Sequence, residues 1–215
     1  SRVEVVIRRE MARLNRIEWN PATSELMQVL LPKRKRQRGN FEAPTLQELR
    51  SLYRALRDDQ LTHRMLRFLI LSATRTTEVR AAEWSEIHGE TWIIPADRMK
   101  ANKQHRAPIT PGMQRVLEAS SSKSGSLIFP NPNGSVPSIN AMRAILQRRK
   151  VPFTVHGTRA TFRSWAAEKG VREDVAELCL AHTPENKLVQ AYQRSDLLDE
   201  RRTVMFDWQR ALESS

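Results

Sequence analysis

The chain has 215 residues carrying 36 Lys and Arg against 24 Asp and Glu, with a net charge of +12 and an isoelectric point of about 10.8. That balance favours polyanionic partners through counterion release. A membrane surface is also polyanionic, but the longest apolar stretch, 65–71, is interrupted by Arg67 and falls far short of the roughly 20 residues that span a bilayer, and no signal-peptide pattern opens the chain.

Val3, Val6, Ile7, Met11 and Leu14 recur at helical spacing, so residues 1–31 are expected to be the last helix of a preceding domain. Residues 32–43 read as a basic linker, with five cations in seven positions from Pro32 to Arg38 and Gly39 just beyond. A strap along a polyanion and a merely solvated strap fit this run equally. Residues 44–215 are expected to form the main domain, since 40% hydrophobic residues can bury one sizeable core.

From Pro44 onward the pattern is mainly helical. Thr45 and Glu48 form a capping box ahead of Leu46, Leu49, Leu52, Tyr53 and Leu56, so Tyr53 faces a core. Helices are expected at 61–72 and 76–84, with Val79, Ala82 and Trp84 inward. The best strands are 91–95 and 106–109, joined by a basic loop that holds Lys100 and Lys103, and 127–129 is expected to add a third. Further helices are expected at 111–119, 139–148, 156–169, 173–180, 184–192 and, amphipathic, 196–212. The class is mainly α with a small antiparallel sheet. Trp84, Trp92, Trp165 and Trp208 read as packing groups. The single cysteine, Cys179, sits in the apolar run 175–180 as a buried small hydrophobe; it cannot form an internal disulfide, which suits a reducing cytoplasm.

The chemistry concentrates in the second half. His156-Gly157-Thr158-Arg159 is followed by Leu180-Ala181-His182 and, ten positions after that histidine, by Tyr192; upstream, Arg75 follows an apolar helix in Ser72-Ala73-Thr74-Arg75-Thr76-Thr77-Glu78-Val79. A phosphodiester exchange without a metal gathers negative charge on the non-bridging oxygens, which a fixed cation must meet. Arginine suits the task because its planar fork stays protonated and grips two oxygens at once. On a helix His156 and Arg159 stand at i and i+3 on one face and can reach one phosphate together. A tyrosine hydroxyl is a weak nucleophile at its free pKa of roughly 10, so it needs an in-line position and a neighbour that takes its proton. With Tyr53 assigned to the core, Tyr192 is the remaining nucleophile.

Seven glycines and no G-x-x-x-x-G-K-[ST] run exclude a P-loop, and Glu83, Glu86 and Glu90 have the scatter of a solvated face rather than a two-metal nuclease. Singly, each motif is weak: many helices expose His-x-x-Arg, and arginines routinely cap helix C-termini. Glu78 reads as a structural hydrogen-bonding or ion-pairing residue. His63, His88 and His105 read as surface or local structural groups, with phosphate contact open for His105.

The order Arg75, Lys100, His156-x-x-Arg159, His182, Tyr192 resembles the catalytic domain of tyrosine recombinases, the phage integrase family, and most closely the integrases of satellite phages and genomic islands. The resemblance runs from about Pro44 to about Arg201. It implies that family's catalytic-domain fold, a core-binding domain before the linker, and site-specific DNA recombination through a 3′-phosphotyrosyl intermediate with no metal or nucleotide cofactor. It implies that Arg75 and Arg159 bind the scissile phosphate, that His156 and His182 assist proton transfer, and that Tyr192 attacks. A hairpin lysine protonates the leaving 5′-oxygen: Lys100 matches through its distance to Pro108, and Lys103 competes. The implied partners are double-stranded DNA attachment sites, neighbouring subunits in a tetramer on synapsed DNA, and DNA-bending accessory proteins, in the bacterial cytoplasm at the nucleoid. The apolar stripe of the last helix, from Leu197 to Leu212, either docks on a neighbour or packs in cis. The family commonly has glycine where this chain has Ala73 and Ala181, and the step from His182 to Tyr192 is one residue longer than in its shortest members, with Pro184 between. Type IB topoisomerase activity and a non-catalytic DNA-binding module of the same fold are the alternatives.

Overall fold

The computed structural model describes Val6, Glu10 and residues 43–121, 125–182 and 196–214. The chain divides into two units, Ser1–Asn40 and Phe41–Ser215. In the first, Val6 and Glu10 are helical; the rest of 1–31, linker residues 32–42 and the expected helix 184–192 with Tyr192 lie outside the described residues.

The second unit is built around α2 (Leu61–Ser72). Its Met65, Leu66, Phe68, Leu69, Ile70 and Leu71 are all buried, a distribution that requires neighbours on nearly every side. α1 (Leu46–Arg54) precedes it and starts at the expected capping box, where Thr45 N donates to Glu48 at 2.8 Å and Glu48 N to Thr45 Oγ1 at 3.2 Å. Leu49, Leu52 and Tyr53 face inward. After α2, α3 (Thr76–Arg80) stops four residues earlier than its apolar pattern predicts, and a 3-10 turn, Trp84–Glu86, follows. The reason is tertiary: Ala82 O accepts from Ile128 N at 2.9 Å and Trp84 N donates to Ser126 O at 2.8 Å, so the chain is extended at Glu83 before the turn.

That pairing also corrects the expected third strand. Residues 127–129 make an isolated bridge, Glu83 to Leu127, and the sheet is instead β1 (Ile87–His88), β2 (Thr91–Ile94) and β3 (His105–Pro108), antiparallel in that order. A three-residue apolar run fits a strand or a buried loop equally, and the two residues of β1 are too few to show a period. The register sets Trp92 against Ala107 and Ile94 against His105. Phe68 meets Trp92 edge-on at 5.1 Å and Phe129 at 5.6 Å, which fixes the sheet to α2.

Four helices complete the layer: α4 (Pro111–Ser120), capped by Thr110 with proline in its first turn, α5 (Ala141–Arg148), α6 (Gly157–Glu168) and α7 (Glu173–Cys179). α8 (Leu198–Glu213) then packs against α1, α2, α7 and β3 of the same chain. Its Met205, Trp208 and Leu212 are fully buried, so this part of the apolar stripe packs in cis. Trp208 stacks near Trp165 at 5.1 Å and donates Nε1–H to Ile70 O at 2.9 Å. Gly112 closes this contact: its N–H donates to Gln209 Oε1 at 2.8 Å, and a Cβ there would lie 2.9 Å from Gln209 Cδ. Cys179 is buried, and burial pushes its thiol up to about 11, which makes it inert. Among the described residues no helix is long and apolar enough to cross a membrane.

Trp208→Ala removes the ring that joins α8 to α2 and α6, and should lower unfolding free energy by about 3–5 kcal/mol in urea titration.

Candidate active site

Two helix ends build the site. α2 terminates in Ala73 with φ 51°, and α7 ends in a Schellman turn: Ala181 N donates to Leu178 O at 3.1 Å, His182 N to Glu177 O at 3.0 Å, and Ala181 has φ 49°. Both alanines stand in the left-handed region that favours glycine, which accounts for the glycine common at these two places. Each turn leaves carbonyl oxygens without helical partners.

Arg159, one turn into α6, supplies those partners. Its Nη1 donates to Ala73 O and its Nη2 to Leu180 O at 2.6 Å, which joins the ends of α2 and α7. The side chain is buried, with 4% of the residue exposed, and Nη2 also lies 3.1 Å from His182 Nε2. Burial lowers the Arg159 pKa to about 10, helped by the charge of Arg75 and opposed by Glu78 and Glu177, so the guanidinium stays charged at neutral pH.

Arg75 follows two residues after Ala73 and is partly exposed. Its Nη1 donates to Glu78 Oε1 at 2.9 Å, its N–H to Glu78 Oε2 at 2.7 Å and its Nη2 to Ala181 O at 3.4 Å. Glu78 is 1% exposed and acts as the structural ion-pairing residue expected of it. Its own carbonyl accepts from Arg98, which also pairs with Glu86, tying α3 to the sheet.

His156 is the N-cap of α6 rather than its first helical residue, and its ring is exposed. Desolvation of the ring's inner edge, then the charges of Arg159, Arg75 and His182, lower its pKa below the ordinary imidazole value, so it is neutral at pH 7. His182 is exposed on its outer edge, with Nδ1 2.5 Å from Glu177 Oε2. Lys100 and Lys103 both lie exposed in the loop between β2 and β3, and neither makes an ion pair or hydrogen bond with a described residue. Of the two tyrosines, Tyr53 is buried and bonded to Glu213 at 3.3 Å, and burial together with Glu213 pushes its pKa up to about 12. Tyr192 lies outside the described residues.

The structure thus gathers Arg75, Arg159 and His182 by direct contact and His156 by electrostatic proximity. It adds two residues that the motifs did not single out, Glu177 and Arg201, and corrects the reading of His105. Glu177 holds His182. Arg201, 1% exposed on α8, donates to Arg106 O and to Asp196 O at 3.2 Å, fastening the start of α8 to β3. His105, 6% exposed at the head of β3, is not placed to touch phosphate: its Nε2 is buried without a hydrogen-bond partner among the described residues, and burial plus Arg201, Arg159 and Arg75 lower its pKa to about 3. Only the five-residue step from Glu177 to His182, across a small residue, signalled any of these in the sequence.

The sequence pattern of the phage integrase family matches residues 44–197. The prophage integrase IntA of Escherichia coli (strain K12) is 36% identical over 148 residues, 65% of this chain and 36% of that protein. The integrase of Enterobacteria phage P4 is 27% identical over 216 residues, 89% of this chain and 49% of that protein. A lambda integrase tetramer bound to a Holliday junction superposes with a TM-score of 0.57 at 14% identity, over 86% of this chain and 57% of that one, a likeness of fold. The chain spans less than half the length of the two curated relatives.

Ala181→Gly relieves the left-handed alanine and should stabilise the protein by about 0.5–1 kcal/mol, seen as a rise of about 1–4 °C in melting temperature. His105 titrates at about 6.5 when unfolded and about 3 when folded. The fold therefore carries no penalty from it above pH 6.5 and loses stability as pH falls from there towards 3, by up to about 1.4 kcal/mol per pH unit. His105→Gln should flatten that acid-side loss in urea titrations at pH 4, 5 and 7.

Proposed function

The chain belongs to the phage integrase family, and from that premise we propose that residues 44–215 are the catalytic domain of a site-specific DNA recombinase, the integrase of a mobile element. On this reading 32–43 is the linker and 1–31 the end of a core-binding domain. The observation that carries the proposal is the convergence of two arginines and a histidine on the ends of α2 and α7, beside a neutral His156.

The residues divide the work as follows. Arg75 and Arg159 bind the non-bridging oxygens of the scissile phosphate, with His182 Nε2 beside Arg159 Nη2. The Tyr192 hydroxyl attacks phosphorus and gives up its proton, His156 and His182 assist that proton transfer and phosphate binding, the P–O5′ bond breaks, and Lys100 protonates the departing 5′-oxygen. Lys103, in the same exposed loop, is the competing acid. The 3′-phosphotyrosyl bond conserves the energy of the broken linkage, so rejoining to another strand needs no metal or nucleotide cofactor. Support for the DNA partner and a tetrameric synapse comes from the lambda integrase tetramer on a Holliday junction. Met205, Trp208 and Leu212 of the α8 stripe are buried in cis, and its half-buried Leu197, Leu198 and Val204 remain for a subunit contact in such a synapse. DNA-bending accessory proteins and a cytoplasmic site of action at the nucleoid belong to the same reading.

The test is covalent trapping with EDTA present, on a pool of nicked suicide duplexes with randomised cores. Wild-type chain should give a denaturation-resistant adduct and Tyr192→Phe none, while Arg159→Ala should cleave at least about 10²–10³-fold more slowly. Because the His156 pKa lies below 6.5, the rate should be flat around pH 7 and fall as pH drops through that depressed value. No adduct with wild type, or an adduct that survives Tyr192→Phe, would overturn the proposal.

A further inference from the structure

The contacts of His182 fix its protonation pattern. Arg159 Nη2 can only donate, so His182 Nε2, 3.1 Å away, accepts; the ring proton therefore sits on Nδ1, which donates to Glu177 Oε2 at 2.5 Å. We propose that Glu177 is a positioning residue that holds His182 as the Nδ1–H tautomer with Nε2 turned towards Arg159 and the phosphate it would bind. This rests on the role given to His182 above.

Three observations make the contact more than a surface ion pair. First, the Schellman turn sets it up: Glu177 is the third residue from the end of α7 and His182 the second beyond its cap residue Leu180, the two positions whose side chains this turn brings together. Second, Glu177 is itself held, since Arg163 Nε donates to Glu177 Oε1 at 2.6 Å while Arg163 Nη2 reaches Glu173 at 2.8 Å. Third, Arg159 and Arg163 are one turn apart on α6, so a single helix face grips the imidazole at Nε2 and its carboxylate partner at Oε1. Partial burial raises the Glu177 pKa, but the hydrogen bonds from His182 and Arg163 outweigh it and hold the carboxyl below its ordinary value, so it is ionised at pH 7. A carboxylate behind a histidine selects the tautomer and fixes the ring plane, as it does where histidines bind metals or activate nucleophiles.

The bland alternative is that Arg163, Glu173 and Glu177 merely staple α6 to α7. The two differ in what Glu177→Ala does to the His182 ring. With histidine-labelled full-length chain, long-range proton–nitrogen NMR should show the neutral Nδ1–H pattern for His182 in wild type and in Glu177→Gln, whose amide oxygen can still accept. In Glu177→Ala it should shift towards Nε2–H. On the nicked duplex pool, Glu177→Ala should form adduct about 10- to 100-fold more slowly at unchanged duplex binding, Glu177→Gln should recover much of that loss, and adding Glu177→Ala to His182→Ala should cost nothing more. An unchanged tautomer in Glu177→Ala, or additive losses in the double variant, would overturn the inference. If His182→Ala alone cleaves at the wild-type rate, the role given to His182 falls, and the tautomer measurement still decides what Glu177 holds.

Discussion

The guanidinium of Arg159 is the constraint on which the site depends. A cation removed from water costs several kcal/mol unless strong acceptors surround it, and here they are backbone carbonyls stripped of helical partners, Ala73 O at the end of α2 and Leu180 O at the end of α7. The carbonyl ends of helices carry partial negative charge, which suits a buried cation there. The need is mutual: the helix ends are satisfied by the arginine, and the arginine is held in one pose by the helix ends. An active-site cation fixed in this way need not be reorganised when charge develops near it.

Two consequences follow for the surroundings. Arg75 and Arg159 repel each other, as the lowered Arg159 pKa records, and Glu78 and Glu177 offset that repulsion from behind. Part of Arg75 and part of His182 are left facing solvent, so the Arg75 charge is open to an approaching anion. The same field reaches inward to His105, which tolerates it only by staying neutral. The sheet therefore does more than carry the lysine loop: β3 holds the neutral His105 ring within the field of these arginines and offers Arg106 O to Arg201.

α8 shows how one helix can serve the core and the site together. Trp208, Met205 and Leu212 complete the core around α2, while Arg201 on the same buried face pins Asp196, the first described residue after 195, to β3. Arg106 binds the Asp196 carboxylate as well, at 3.0 Å. Asp196, four positions after Tyr192 in the sequence, is thereby anchored to the strand that follows the Lys100 and Lys103 loop.

Local chemistry was enough to define much of this protein from sequence. The 3.6-residue spacing in α1, α2 and α8 fixed which faces are apolar, the Thr45 capping box fixed a helix start, and Tyr53 was assignable to the core because it lies on that period. The order of Arg75, His156, Arg159 and His182 gave the candidate site, since cations and imidazoles at those intervals are uncommon as a set. Periodicity, however, reports that a face is buried and not what buries it. Only the tertiary structure decided that 127–129 pairs with Glu83 instead of entering the sheet, that Met205, Trp208 and Leu212 of the α8 stripe are covered in cis, and that His105 lies inside beside three arginines. It alone decided that Glu177 faces His182, because that contact needs the left-handed turn at Ala181 and the grip of α6. These outcomes depend on partners far along the chain, which residue spacing does not encode.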